Sequence, residues 1–312
     1  MVPSNPLPPV FTLPFYPINL KRQYGLRFHI RQNGQELKIH HELDVFCNTA
    51  TQDGDFLFQL DKKQVYIHDQ APDALLDEMA DRCGKLLYPL QVRVSRQGRF
   101  KSIENGPAIR QRWQQARAEL AQDYSGKIAG HILSSMDAAL ASDPSLADSI
   151  SQDWLFALLL PPLYHPYQNY EAAAELPLPM MAYRQPWPYR LQLKAKPQHT
   201  SEGFIQIEAT GVYTDKLAEA FRGAPMGQQP DRSLTAQGLA AFTYQVYPHN
   251  GTLFSVTGSC HLQLPGGVEK VMDLHMYQFG EPDPIPLAHS TASIITDIEP
   301  VVKKKSWYAS LQ

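Results

Sequence analysis

Few cysteines, no long apolar run and no strong excess of either charge bound what this chain can be. Its 312 residues include three cysteines, Cys47, Cys83 and Cys260. They are too few and too scattered for a disulfide framework or a CxxC site. Each sits where a small apolar residue would fit, so buried, reduced thiols are expected. The formal net charge of -3 gives no sign of a nucleic-acid binder driven by phosphate neutralisation. No segment approaches the ~18 apolar residues of a membrane span. The longest candidate, Trp154 to Leu160, stops at Pro161-Pro162. The first residues lack a basic start followed by an unbroken apolar run, and Pro3, Pro6, Pro8, Pro9, Pro14 and Pro17 interrupt them, so they do not read as a secretory signal. A cytoplasmic protein without a transmembrane segment is the expectation.

Catalytic and ligand motifs are equally scarce. Asp69, Asp73, Asp77 and Asp81 lack the closely spaced oxygen ligands around a central glycine that a calcium loop needs, and read as a solvated helix face. Ser125-Gly126-Lys127 lacks the upstream glycine of a phosphate loop. No G-x-S-x-G surrounds Ser255 or Ser259. His261 and His275 fall on either side of the Gly266-Gly267 turn, offset by about four residues, or roughly 13 Å along a strand. One zinc ion with bonds of ~2.0–2.1 Å cannot bridge them. His40 and His41 point to opposite strand faces. Asn250-Gly251-Thr252 matches a glycosylation sequon, but a tight hairpin turn is the better reading. No metal or cofactor is expected.

What is present is the material of a folded domain. Hydrophobic residues make up 43% and charged residues 19%, which argues against wholesale disorder. The chain is organised around Leu86 to Leu120. Leu90, Val92 and Val94 alternate with Gln91, Arg93 and Ser95, the period of a one-sided strand. Arg96-Gln97-Gly98-Arg99 is a turn, and Phe100 and Ile103 return. Asn105 or Gly106 then caps a helix with Pro107 in its first turn. Ile109, Trp113, Ala116 and Leu120 form its apolar stripe. Packing that stripe on the apolar sheet face is the economical solution.

Both flanks repeat these parts. Leu26, Phe28 and Ile30 alternate with Arg27, His29 and Arg31, and Gln32-Asn33-Gly34-Gln35 turns into a long strand carrying Leu37, Ile39, His41, Leu43, Val45 and Cys47 on one face. Phe56 to Leu60 and Val65 to Ile67 read as two short strands. A helix is expected from Asp73 to Gly84, a second through Ile128, Ile132, Leu133 and Met136, and a third from Ser145 to Leu160. The last is apolar nearly all round and should be buried. Residues 161–188 hold seven prolines and five large aromatics, Tyr164, Tyr167, Tyr170, Tyr183 and Trp187. They read as a crossover packed on the surface, with a ligand-gating lid as the alternative. Strands resume at Leu191 and Ile205, a short helix is expected over Thr214 to Arg222, and Asn250-Gly251 turns the clearest hairpin of the second half.

The expected organisation is a proline-rich arm over 1–18, one α+β domain over 19–280, and a proline-rich, basic tail over 281–312. Within the domain lie a β-meander (19–104), helices (107–160), the crossover (161–188) and a second β-meander (189–280). Strands, then helices, then strands argue against a parallel βαβ plan. The expected fold is α+β: a strongly curved, half-barrel-like antiparallel β-sheet built from both ends of the chain and wrapped around central helices. That order of elements resembles carriers of the lipoprotein-carrier fold, which curve a sheet around helices to shelter lipid. The resemblance implies an apolar ligand on the concave face, although fold alone does not fix function.

The function expected from the residues is therefore non-enzymatic binding of an apolar small molecule or a protein partner. His41, Trp113, Trp154, Phe156, Tyr164, Tyr167 and Trp187 are the expected ligand-binding residues. His41 stands out as an imidazole on an otherwise apolar strand face, which reads either as a core histidine or as a site residue. One alternative is an assembly or immunity-type partner that uses its proline-rich ends. Another is a hydrolase using His41 with an unplaced carboxylate.

Overall fold

The computed structural model describes residues 10–181, 185–196, 203–216, 235–264 and 266–280. The arm before Val10, Tyr183, Pro265 and the tail over 281–312 lie outside the described residues. So does most of the helix expected over Thr214 to Arg222; its described part, Thr214 to Lys216, is strand.

The described strands are β1 (Val10–Thr12), β2 (Leu20–Gln32), β3 (Gln35–Ala50), β4 (Phe56–Ile67), β5 (Leu90–Val94), β6 (Phe100–Ile103), β7 (Pro166–Gln168), β8 (Glu171–Leu178), β9 (Trp187–Lys196), β10 (Ile205–Lys216), β11 (Thr235–Val246), β12 (Leu253–Leu264) and β13 (Val268–Gln278). The described helices are α1 (Leu75–Lys85), α2 (Gly106–Asp123), α3 (Lys127–Ala139), α4 (Asp143–Ser151) and α5 (Trp154–Leu159). All the strands join one 13-stranded sheet in the order β1-β7-β8-β9-β10-β11-β12-β13-β2-β3-β4-β5-β6. Every neighbouring pair is antiparallel. The fold is thus a large antiparallel sheet with helices, as the strand–helix–strand order suggested. The sheet is not closed, with β1 and β6 as its edges, and the half-barrel curvature expected from the sequence is not confirmed by it.

Alternation sets the two faces. In β2, Leu20, Arg22, Tyr24, Leu26 and Phe28 turn inward and are buried. Lys21, Arg27 and Arg31 turn outward and are exposed. Asn33 (φ 50°) and Gly34 (φ 79°) make the β2–β3 turn. Two successive positive φ values match the right-handed twist of the flanking strands and hold the register, in which Leu26 faces His41 and Leu20 faces Cys47. The β3–β4 ladder slips between His41 and Leu43. That irregularity lets β4 run as one strand where the sequence suggested two.

The helices differ from expectation at their ends. Helix α1 begins at Leu75 rather than Asp73 and carries Gly84 inside it. Asn105 stands at the N-cap of α2, but its side chain ties down β5 instead: Oδ1 accepts from Gln91 N at 3.0 Å and Nδ2 donates to Pro89 O at 2.7 Å. The helix expected over Ser145 to Leu160 is two helices. Ser142 Oγ caps α4 by accepting from Ser145 N, and Asp153 Oδ1 caps α5 by accepting from Leu155 N at 2.9 Å. All of Leu155 to Leu159 is buried, as an apolar helix requires.

Residues 161–188 supply strands β7, β8 and the start of β9 rather than an irregular crossover. Asn169 (φ 50°) and Tyr170 (φ 66°) turn β7 into β8. Pro177 and Pro188 face each other across β8–β9 on the exposed side. Around this seam, Phe15 packs at a tilt on Tyr164 at 4.4 Å and edge-on against Phe56 of β4 at 5.5 Å. Gly98 is needed in the β5–β6 turn, because a Cβ there would come within 2.4 Å of the Tyr164 ring. Phe156 of α5 meets Phe100 of β6 edge-on at 5.3 Å, and α5 also packs on β8.

Candidate functional site

The side chains expected to bind a ligand are buried in the core, apart from the half-buried Trp154, and are spread over several elements. Trp113 of α2 donates from Nε1 to Asp137 Oδ1 at 2.9 Å, and Arg117 clamps the same carboxylate with bonds of 2.8 to 3.0 Å. Trp154 donates to Pro179 O at 3.0 Å. Phe156 packs on Phe100. Tyr164 and Tyr167 bring their hydroxyls to Gly251 O and Leu163 O, both at 3.0 Å. Trp187 packs edge-on against Tyr213 at 4.9 Å. His41 is 7% exposed and lies parallel to the Phe28 ring at 6.1 Å. Burial first, then the nearby positive charges of Lys62 and His40, push its pKa down to about 3. At neutral pH this imidazole is uncharged. The structure therefore brings Tyr164 and Tyr167 into one seam and leaves His41, Trp113 and Trp187 in separate parts of the core.

Among the described residues, His41 Nδ1, Trp187 Nε1 and the Tyr244 hydroxyl are buried with no hydrogen-bond partner. The thiols of Cys47, Cys83 and Cys260 are free and buried. Burial pushes Cys47 up to about 12 and raises the other two as well.

A different site lies on the outer face of the same strands. A depression of about 500 Å³ opens over β3, β2 and β13. Three tripeptides line it together with Asp69: Arg27-Phe28-His29, Lys38-Ile39-His40 and Asp273-Leu274-His275. Each reads charged, apolar, histidine. The strand period turns the middle residue inward and the other two outward. Antiparallel register then interleaves them. His275 faces Arg27, which faces His40; in the next row Asp273 faces His29, which faces Lys38. Every histidine lies across from a charged residue.

Most charges in this grid are matched. Asp273 Oδ2 lies 2.7 Å from Arg31 Nη2 and 4.0 Å from His29 Nδ1. Glu36 Oε1 lies 3.3 Å from Lys38 Nζ and 2.5 Å from His29 Nε2, the latter not aligned as a hydrogen bond. Lys38, ahead of His29, holds the Glu36 carboxyl below its ordinary range. Asp69 Oδ1 lies 3.4 Å from His40 Nδ1, and the His40 ring stacks on Tyr66 at 4.7 Å. Arg27 is the exception. Among the described residues it has no carboxylate partner, and its guanidinium lies over the Tyr277 ring at 5.9 Å. Burial and the Arg27 charge hold the His275 pKa below its ordinary value. No group of three or more His, Cys, Asp or Glu among the described residues is arranged to hold a metal ion.

The depression continues sideways. A neighbouring one of about 460 Å³ runs over β10, β11 and β12 and shares Leu274 with the first. Its outward residues include Glu208, Thr243 and Thr257. They prolong the row: Glu208 faces Thr243, Thr243 faces Thr257, and Thr257 faces His275. Sequence reading missed this site because one of its three parts comes from β13, far along the chain from the β2–β3 hairpin that supplies the other two. The signal was present as three charged–apolar–histidine triplets of strand period.

No known protein family matches this sequence, and no curated protein does. Among solved structures, the chain is similar to one described as "Lipid-protein interactions in lipovitellin", with 12% sequence identity and a TM-score of 0.44. That match covers 88% of this chain and 26% of the other, so this chain spans about a quarter of the solved chain's length. Among the described residues, no helix is long and apolar enough to cross a membrane.

Proposed function

We propose that the protein is a non-enzymatic binding protein whose ligand sits in the outer-face depression over β3, β2 and β13. The observation that carries this reading is the concavity itself. Its volume of about 500 Å³ is that of a small-ligand site, and outward polar groups from three strands converge on it. Holding rather than converting a ligand fits the reactive groups elsewhere. The three thiols are buried with raised pKa values, and His41 is a neutral core imidazole rather than an acid–base group. Free thiols also suit the cytoplasmic setting expected from the sequence.

Histidine-detected NMR with a library of water-soluble molecules tests the proposal. Ligands of this site should shift the ring resonances of His29, His40 and His275 and leave His41 unmoved. If every bound molecule moves His41 or the Trp187 indole instead, the outer-face assignment is wrong.

A second reading keeps the ligand inside, as an apolar molecule or partner segment between sheet and helices. The residues expected from the sequence, His41, Trp113, Trp154, Phe156, Tyr164, Tyr167 and Trp187, belong to this reading as contacts in more than one part of the core. Its support is that His41 Nδ1, Trp187 Nε1 and the Tyr244 hydroxyl have no hydrogen-bond partner among the described residues. A buried polar atom left unpaired costs ~1–3 kcal/mol, which a complementary guest would relieve. A half-barrel curve of the sheet belongs to this reading. Its support is that α5 packs on β8 while its Phe156 meets β6, and these strands stand third and thirteenth in the sheet order. Native mass spectrometry of the purified chain separates the two readings. A non-covalent lipid-like mass lost on denaturation favours the interior.

A further inference from the structure

We propose that Arg27, flanked by His40 and His275, binds the oxyanion of a small polar ligand, a phosphate or a carboxylate. The inference rests on the outer-face reading above and names the chemistry of that site. Its foundation is a mismatch of charge. Lys38, Arg31, His29 and His40 each have an acidic neighbour within 4.0 Å, whereas Arg27 has none among the described residues. A guanidinium offers a planar fork that matches two oxygens of a carboxylate or phosphate. The Tyr277 ring beneath it limits how far the fork can swing.

The flanking imidazoles complete the recognition. His275 and His40 occupy the positions directly across from Arg27 on its two neighbouring strands. Side chains paired this way stand ~4.5–5.5 Å apart at Cβ, close enough for both rings to reach an anion held by Arg27. Each ring carries an N–H donor even when neutral. Tyr66 stacks on His40 at 4.7 Å, and Tyr277 packs at a tilt against His275 at 4.9 Å, so each ring has an aromatic neighbour. A cation is the poorer guest, because the acidic groups here are already engaged.

The rest of the ligand follows from the neighbouring depression. Along the row from Arg27, the next outward residues are His275, Thr257 and Thr243. Two threonine hydroxyls on a shallow floor suit a neutral, hydroxyl- or amide-bearing body. The ligand is then an elongated polar molecule with its charged end at Arg27. The six-strand row from His40 to Glu208 spans roughly 24 Å at ~4.8 Å per strand, so the body can extend well past the anion.

Protonation is linked to this binding. His275 is faced by Arg27 from β2 and Thr257 from β12, and flanked by Asp273 and Tyr277 on its own strand. Burial and Arg27 oppose its protonation in the free protein. A bound anion offsets the Arg27 charge, so the His275 pKa rises on binding and affinity grows as pH falls.

Inorganic phosphate and acetate are the first probes, titrated into the full chain and followed on the histidine ring resonances. The expected result is saturable movement of His40 and His275, with the His275 pKa raised by phosphate. Arg27→Ala should weaken binding at least about tenfold. Arg99→Ala, at an exposed position in the β5–β6 turn that lines neither depression, should leave it unchanged. Because Arg27 is exposed, Arg27→Ala should fold with an unaltered melt, which is checked alongside. Sedimentation with phosphatidylglycerol but not phosphatidylcholine vesicles, lost in Arg27→Ala, would support the site and assign the oxyanion to a lipid headgroup. Binding of free phosphate or acetate alone would support it and assign a soluble ligand. Absence of saturable movement with either probe and with vesicles, or equal binding by Arg27→Ala, overturns the oxyanion assignment. If neutral ligands still moved the same histidines, the outer-face binding reading would survive that loss.

Discussion

His40 and His41 are neighbours in sequence and opposites in chemistry. His40 turns outward, stacks on Tyr66 and sits beside Asp69. His41 turns inward, packs along Phe28 and has its pKa pushed down to about 3 by burial. The same contrast holds along β2, where Leu26 is fully buried and Arg27 is exposed. One residue of strand period separates a core position from an outward one. The two faces of this sheet are thus two environments sharing one backbone, and a substitution should read out the face it lies on.

Truncation sharpens that contrast most. Leu26→Ala should destabilise the protein by about 2–5 kcal/mol in urea unfolding, since it opens a cavity in a packed face. Arg27→Ala, one residue on, should change stability by no more than ~0.5 kcal/mol. Comparable losses at both positions would erase the distinction between the faces.

The next effect is a pH dependence. His41 has a folded pKa of about 3 against an ordinary 6.5. Between those values the unfolded chain binds the proton and the folded chain does not, so stability is complete above the upper value and falls as pH drops through the window. At ~1.4 kcal/mol per pH unit, moving from pH 7 to pH 5 should cost about 2 kcal/mol through this residue. His41→Leu should flatten that part of the profile. A His41→Leu profile as steep as that of the parent protein would show that the imidazole is not shielded.

Smaller changes probe the seam and the surface. Tyr164→Phe removes the hydroxyl that donates to Gly251 O and should cost about 0.5–1.5 kcal/mol by thermal melt. Asp69→Asn removes the exposed acidic partner of His40 and should cost ~0–1 kcal/mol. An Asp69→Asn loss larger than that of Tyr164→Phe would mean that the outer grid, too, is part of what holds the fold.

Much of the architecture was legible because it is local. Asn33-Gly34 marked its hairpin, the stripe of Ile109, Trp113 and Leu120 marked α2, and alternation marked β2, β5 and β11. The misreadings came from tertiary override. Prolines 166, 177 and 188 suggested an irregular crossover, yet they take exposed positions in strands where a ring does no harm. Asp153 reads as an ordinary helix residue, but caps α5 and splits one expected helix in two. The outer depression was not read as a site, although each of its tripeptides was visible. No local pattern says that Asp273 will lie against His29; only the pairing of β13 with β2 does.

That pairing also governs how the chain is made. Arg31 and its partner Asp273 are 242 residues apart. At ~5–20 residues per second of synthesis, the outer edge of β2 waits roughly ten to fifty seconds on the ribosome for the strand that covers it. An open edge is an invitation to pair with another nascent chain, and charge on that strand discourages it. Arg27 and Arg31 supply that charge early. The Arg27 cation that later faces the depression begins as part of the chain's own guard against aggregation.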